Sequence, residues 1–120
     1  MAASFQVELA MAEAPAEAQS RAVSALDDAA RAVGLRLTKR GAGQLDYRPQ
    51  VQFPFLLMLY HTLSGERMTV RFEPGSDGGT RVNITGAVAR ARQPLAADPE
   101  HWSEALGASA VPADGKRETP

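Results

Sequence analysis

Few side chains in this sequence could transfer a proton, and only one histidine stands in an apolar stretch. His61 lies within residues 51–63, among leucines and phenylalanines. If this stretch is a strand, His61 faces inward, where desolvation lowers the pKa of an imidazole. His61 is therefore the one candidate for acid–base catalysis, with Tyr60 or Tyr47 as the proton donor. A buried histidine with one structural hydrogen bond is the more common explanation of this pattern.

The other polar groups have simpler explanations. His101 falls in the first turn of a predicted helix, and neither histidine has a second metal ligand at a suitable spacing. The sequence also has no cysteine, so it predicts no metal site and no cofactor. Asp27 and Asp28 resemble a carboxylate pair, but consecutive helical residues point about 100° apart. The glycine-rich residues 41–43 and 75–79 lack the lysine and following helix of a phosphate-binding loop, so both are interpreted as turns.

Composition limits the size of the interior and the kind of partner. The chain of 120 residues is long enough for one domain, and its hydrophobic fraction of 44% includes 22 alanines, so larger apolar side chains are few. Thirteen basic residues nearly balance 14 acidic ones, so a nucleic-acid partner is not expected. The longest apolar stretch is shorter than the ~20 residues of a membrane span. No secretory signal pattern begins the chain, so the expected location is cytoplasmic.

Hydrophobic periodicity predicts an α+β fold, with an antiparallel meandering sheet of about six strands. One long helix follows the first strand, and a short helix closes the domain. The predicted elements are a strand over residues 4–11, a helix over 15–33, a hairpin over 35–48, a hairpin over 67–88 and a short helix over 99–106.

Residues 55–63 are ambiguous, because both faces are apolar and periodicity does not separate a buried strand from a short helix. A strand is favoured, paired antiparallel with residues 67–74 through a turn at 64–65, with its odd positions facing the long helix. Residues 1–107 then form a single domain. Residues 108–120 carry too few large apolar side chains to be ordered and are predicted to be a flexible tail.

The segment over residues 66–86 resembles the central hairpin of the START/Bet v 1-like, or helix-grip, superfamily (also called SRPBCC). Its first strand ends in Glu73-Pro74, a Gly-Ser-Asp-Gly-Gly turn follows, and Thr80-Arg81-Val82 begins the second strand. The superfamily contains carriers of hydrophobic ligands, lipid-transport proteins and polyketide cyclases, so the resemblance implies a ligand cavity between sheet and helix. Two features depart from the family pattern: the closing helix has only about two turns, and one helix replaces two short ones after the first strand.

Three hypotheses follow. The first is a domain that binds a hydrophobic or aromatic small molecule in a modest cavity. Its predicted lining comprises Tyr47, Leu57, Leu59, His61, Met68, Val70 and Phe72, while Trp102 and Tyr60 are further aromatic candidates. The second is an interaction or homodimerisation module with a filled core, in which residues 51–60 form the partner surface. The third is a cyclase-like or lyase-like enzyme with His61 as its base.

Arginines dominate the basic residues, and several fall at the polar positions of neighbouring predicted strands. They are Arg36, Arg40, Arg48, Arg67, Arg71, Arg81, Arg90 and Arg92. The carboxylates nearby in this pattern belong to Asp46 and Glu73. Cross-strand ion pairs are therefore the expected role of these arginines.

Overall fold

The computed structural model describes residues 2–49, 65–75, 78–107 and 110–112 of the chain. Within these residues the protein has an α+β architecture, with a long helix after the first strand and two short helices after the last long strand. The elements are β1 Ala2–Met11, α1 Pro15–Ala32, β2 Leu35–Gly41, β3 Gln44–Pro49, β4 Arg67–Pro74, β5 Thr80–Ala89, α2 Gln93–Ala96, α3 Pro99–Leu106 and the three-residue β6 Ala110–Pro112.

The five long strands form one open antiparallel sheet in the order β2-β3-β4-β5-β1. The first strand lies beside the last long strand, so that Val7 is opposite Ile84 and Leu9 is opposite Val82. The short β6 pairs with β1 at the remaining edge. This order joins the two ends of the domain through a non-local pairing that local sequence patterns do not specify.

Alternation along most of the strands separates an inner apolar face from an outer polar face. In β4, for example, Met68, Val70 and Phe72 are buried, while the residues between them are exposed or half-buried. A residue opposite another across two strands shares its face, so the register places the buried strand residues together, except Ala87, which is buried on the outer face. The inner face comprises Phe5, Val7, Leu9, Met11, Leu35, Leu45, Tyr47, Met68, Val70, Phe72, Val82, Ile84 and Val88.

The helix α1 packs on this inner face through a stripe of mostly small residues. Its buried positions recur every three or four residues, as an amphipathic helix requires. They are Ala18, Ala22, Leu26, Ala29 and Ala30. The helix begins at Pro15, which is suited to a first turn, and ends before Gly34, whose φ of 83° favours glycine. A Cβ on Gly34 would also collide with the guanidinium of Arg92.

The close approach of β4 and β5 explains why residue 86 is a glycine. A Cβ on Gly86 of β5 would lie 2.8 Å from Met68 Cα and would also collide with the carbonyl oxygen of Arg67. The backbones of β4 and β5 therefore leave no space for a side chain at this position. Phe5, the β1 residue opposite Gly86, belongs to the buried face.

Three parts of the predicted fold differ from the structure or lie outside the described residues. Residues 55–63 lie outside the described residues, so their assignment as a strand stays a prediction. Their predicted pairing with β4 is wrong, because residues 68–71 of β4 are occupied by β3 on one edge and by β5 on the other. The tail predicted from residue 108 did not include β6, and the short helix α2 was not predicted.

The predicted closing helix α3 is confirmed, together with its cap. Asp98 is the N-cap, and its Oδ1 accepts a hydrogen bond of 3.0 Å from the backbone N–H of Glu100. Pro99 follows in the first turn, where a missing N–H has no consequence.

Replacing Asp98 with alanine should remove this cap and lower the free energy of unfolding by about 1 kcal/mol. Urea unfolding followed by circular dichroism measures the change. Asp98→Asn, which keeps an accepting oxygen, is the matched control and should lose much less. Equal losses in the two variants would show that the cap does not stabilise α3.

Candidate functional site

The most unusual polar group in the described core is the hydroxyl of Tyr47. Tyr47 lies on β3, opposite Leu37 of β2 and Met68 of β4, and its side chain is fully buried. Its Oη has no hydrogen-bond partner among the residues that the structure describes. A buried hydroxyl without a partner costs about 1 to 3 kcal/mol, so this group is an exception among buried polar atoms.

The pKa of Tyr47 is raised from 10.0 to about 12, mainly because the buried phenolate is poorly solvated and in smaller part because the carboxylate of Asp27 repels it. Asp27 stands on α1 and its Oδ2 accepts a hydrogen bond of 3.1 Å from Arg31 Nε. The carboxylate is therefore close enough to act electrostatically on Tyr47 without hydrogen-bonding to it. The phenol is held in its neutral form, as a hydrogen-bond donor.

An open groove lies between the first half of α1 and the turn that joins β2 to β3. Its volume is about 660 Å³, within the range of small-molecule sites. Its lining is predominantly apolar, with few polar side chains. The lining residues are Pro15, Ala16, Gln19, Ser20, Val23, Arg40, Gly41, Ala42 and Gly43.

Gln19 links the two elements that form this groove, α1 and the β2–β3 turn. Its Nε2 donates a 2.7 Å hydrogen bond to the carbonyl of Gly41, and its Oε1 accepts one of 2.7 Å from the N–H of Gly43. One side chain thus satisfies both sides of the turn and ties α1 to the sheet. Nothing in the sequence pattern singled out Gln19, since the contact spans more than 20 residues.

A β-bulge brings Arg40 to the groove. The register of β2 and β3 shifts between Leu37 and Lys39, so that Arg40 stands opposite the buried Leu45 and shares its face. Without the bulge, Arg40 would stand on the outer face. The three consecutive polar residues at 38–40 break the alternation of β2 and are the sequence signal for this bulge.

The groove and Tyr47 are neighbours along α1. Val23 lines the groove and packs against the core, and Asp27, which acts on Tyr47, follows it by four residues. Residues four apart lie on one side of a helix, about 6 Å along its axis. The groove therefore ends about one helical turn from Asp27, the carboxylate that acts on the Tyr47 hydroxyl.

Four of the predicted lining residues can be located. Tyr47, Met68, Val70 and Phe72 all lie on the inner face, and Tyr47 is directly opposite Met68, as alternation predicts. All four are enclosed by packing and none lines the groove. The other predicted lining residues, Leu57, Leu59 and His61, lie outside the described residues, as does Tyr60.

Trp102 and His101 have structural roles. Trp102 is fully buried, and its Nε1 donates a 2.8 Å hydrogen bond to the carbonyl of Ala96 in α2. His101 Nε2 donates to the carbonyl of Ala29 in α1 at 3.0 Å, and its ring meets Trp102 edge to face at 4.8 Å. Both side chains dock α3 on the rest of the fold.

The expected cross-strand ion pairs form only in part. Arg81 meets Glu8 of β1 at 3.8 Å and stands opposite Glu73 in the register. Asp46 instead accepts hydrogen bonds of 3.2 Å from Gln44 and from Thr69. The prediction that Asp46 would pair with an arginine is therefore wrong.

Two features are absent from the described residues. No three histidine or carboxylate side chains there come close enough together to hold a metal ion. None of the helices that the structure describes is both long and apolar enough to cross a membrane.

No protein-family model, curated protein or solved structure matches this chain.

Proposed function

We propose that the protein is a binding domain for a small hydrophobic or aromatic molecule that carries one hydrogen-bond acceptor. The ligand enters through the groove between α1 and the β2–β3 turn and reaches the hydroxyl of Tyr47. The observation that carries this proposal is the fully buried Tyr47 Oη without a partner.

The chemistry of the hydroxyl defines the ligand. A neutral phenol surrounded by apolar side chains can donate one hydrogen bond, and a carbonyl or ether oxygen of a ligand would accept it. The rest of the ligand would contact apolar side chains, which give binding energy without direction. A ligand without an acceptor would leave the hydroxyl unpaired and would bind less tightly.

The alanine-rich face of α1 supports entry at this place. Four of its five buried positions are alanines, and only Leu26 is large. Burial of apolar surface stabilises by about 0.8 kcal/mol per CH₂, so an alanine face holds a helix to a sheet less strongly than a leucine face. A displacement of α1 that opens the layer above Tyr47 would therefore cost less than it would for a helix with a leucine face.

The resemblance to START/Bet v 1-like proteins agrees with this proposal and remains part of it. A long helix over one face of an antiparallel sheet, with β1 beside the last long strand, supports the resemblance. Ligand binding between the sheet and a helix is what the resemblance implies.

An interaction module with a filled core is the alternative. The observation that favours it is that Met68, Val70 and Phe72 are already enclosed by packing. In that case Tyr47 would be a core residue with a stability penalty and no ligand.

A matched pair of probes separates the two proposals. Acetylnaphthalene has an apolar body and one carbonyl acceptor, while ethylnaphthalene has nearly the same shape and no acceptor. We expect the wild-type protein to bind the ketone about 3- to 10-fold more tightly, the value of one buried neutral hydrogen bond. Titration followed by the fluorescence of the probe measures both dissociation constants.

Tyr47→Phe is the decisive variant, because it removes only the hydroxyl. It should abolish the preference for the ketone, with the ethylnaphthalene affinity unchanged. Gln19→Met, which removes the link between α1 and the turn, should retain the preference for the ketone. Binding of neither probe by the wild type would favour the filled-core alternative, and a preference that survives Tyr47→Phe would exclude Tyr47 as the donor.

A further inference from the structure

The outer face of the sheet carries three arginines side by side. Arg36 and Arg48 are directly opposite each other across β2 and β3. The pairing of β3 with β4 ends at Tyr47 opposite Met68, and Arg48 and Arg67 are the next residue on each strand. Strands lie about 4.8 Å apart, so the three Cα atoms lie within about 10 Å along one line. We call Arg36, Arg48 and Arg67 the arginine row.

The side chains of the row face away from the core. Arg36 stands between Leu35 and Leu37, which pack in or against the core, and Arg48 follows the buried Tyr47. Arg67 is exposed and precedes the buried Met68. No described helix covers this row, since Arg36 and Arg67 are exposed and Arg48 is half-buried.

None of the ion pairs between residues that the structure describes includes an arginine of the row. These ion pairs join Arg21 to Glu13, Arg31 to Asp27 and Arg81 to Glu8. Within the row, Arg48 Nη1 donates to the carbonyl of Tyr47 at 2.9 Å, and Arg67 Nη1 donates to that of Gly65 at 2.8 Å.

The nearest acidic residues do not cancel the positive charge of the arginine row. Asp46, on the same face, stands directly opposite Lys39 of β2 and accepts hydrogen bonds from Gln44 and Thr69, so this one carboxylate does not balance the three arginines. Residues 50–64 contain no aspartate or glutamate. Like charges directly opposite each other destabilise a sheet, so the opposed pair Arg36 and Arg48 lowers the stability of this part of the sheet.

A polar depression of about 420 Å³ adjoins the row on the same face. Arg67 is part of its lining, and the small Ala87 stands between Arg67 and Ser4 in the register. The polar side chains around it are uncharged donors and acceptors, apart from Arg67. They belong to Ser4, Gln6, Thr69 and Thr85.

We propose that the arginine row and this depression form a binding site for a small organic phosphate. The planar guanidinium groups match phosphate oxygens in pairs, and a dianionic group needs more than one arginine to balance it. The hydroxyl-bearing part of the ligand lies in the depression, against Thr69 and Thr85. This site is on the opposite face of the sheet from Tyr47 and is independent of the proposed hydrophobic ligand.

Titration with inorganic pyrophosphate, followed by the NMR signals of the arginine Nε–H groups, tests the proposal. We expect saturable binding with the largest shifts at Arg48 and Arg67, and at least 10-fold weaker binding in Arg48→Gln and in Arg67→Gln. Arg71→Gln is the control, because Arg71 is an exposed arginine of the same strand four residues, or about 13 Å, from Arg67. It should change the dissociation constant by less than about 2-fold, as expected for the loss of one distant, screened charge.

Three results would overturn the proposal. They are a shift that grows linearly without saturation, equal weakening by Arg71→Gln and Arg48→Gln, and binding at a surface without the row. Tyr47→Phe should leave pyrophosphate binding unchanged, so failure of this site and failure of the proposed hydrophobic ligand are distinguishable. Melting temperatures of each variant, measured without ligand, confirm that the folded protein is being compared.

Discussion

Replacing Trp102 with alanine is expected to lower the free energy of unfolding by about 3 to 5 kcal/mol. The side chain is fully buried, and its removal would leave a cavity beneath α3. The carbonyl of Ala96, itself in a buried residue, would also lose its hydrogen bond from Trp102 Nε1. Since a small domain has about 5 to 15 kcal/mol of stability in all, this variant should be close to unfolding.

Urea unfolding followed by far-ultraviolet circular dichroism measures this loss, because Trp102 is the only tryptophan and its fluorescence would disappear with it. Trp102→Phe keeps an aromatic ring but not the N–H, so it should lose clearly less than the alanine variant. A loss below about 1 kcal/mol for Trp102→Ala would contradict the docking of α3, because it is the size of an ordinary surface change.

The second large effect is expected at alkaline pH and comes from Tyr47. Its pKa is about 12 in the folded protein, against 10.0 for a free phenol. Between these values the unfolded chain has lost the proton and the folded chain still holds it. The folded state therefore binds more protons, and stability falls as the pH rises through this window. A difference of two pKa units corresponds to a loss of between about 2 and 3 kcal/mol in the free energy of unfolding once the pH has risen above both pKa values.

Comparing the wild type with Tyr47→Phe isolates this effect, because all other groups titrate in both proteins. The difference in the free energy of unfolding between the two proteins should be constant below about pH 9.5. Above that pH the wild type should lose stability relative to Tyr47→Phe. Below that pH the variant should be at least as stable as the wild type, since it removes a buried hydroxyl without a partner. Parallel curves up to about pH 12 would show that Tyr47 is solvated.

Local patterns predicted the elements that they determine directly. Alternation of Met68, Val70 and Phe72 with polar residues predicts β4 and its inner face, and the structure confirms both. The interval from Pro15 to Gly34 predicts α1, because one residue suits a first turn and the other a left-handed end. These features depend on neighbours within a few residues.

Local patterns do not predict contacts between segments that are distant in the sequence, because such patterns depend only on neighbours within a few residues. The pairing of β3 with β4 joins segments about 20 residues apart, and a period of two permits it equally with the pairing first expected. The contact of Gln19 with the β2–β3 turn has no periodic signature at all. Alternation placed Tyr47 inside, but the lack of a partner for its hydroxyl depends on every element packed around it.

The most direct test of the central claim is to find the probe beside Tyr47. The chain has only two tyrosines, so a sample with labelled tyrosine rings gives two sets of signals, and Tyr60→Phe assigns them. We expect nuclear Overhauser contacts between the methyl group of acetylnaphthalene and the ring protons of Tyr47, with a downfield shift of its ring carbon that bears the hydroxyl. Contacts confined to exposed groove residues such as Ala16 and Arg40, with the Tyr47 signals unchanged, would contradict the account.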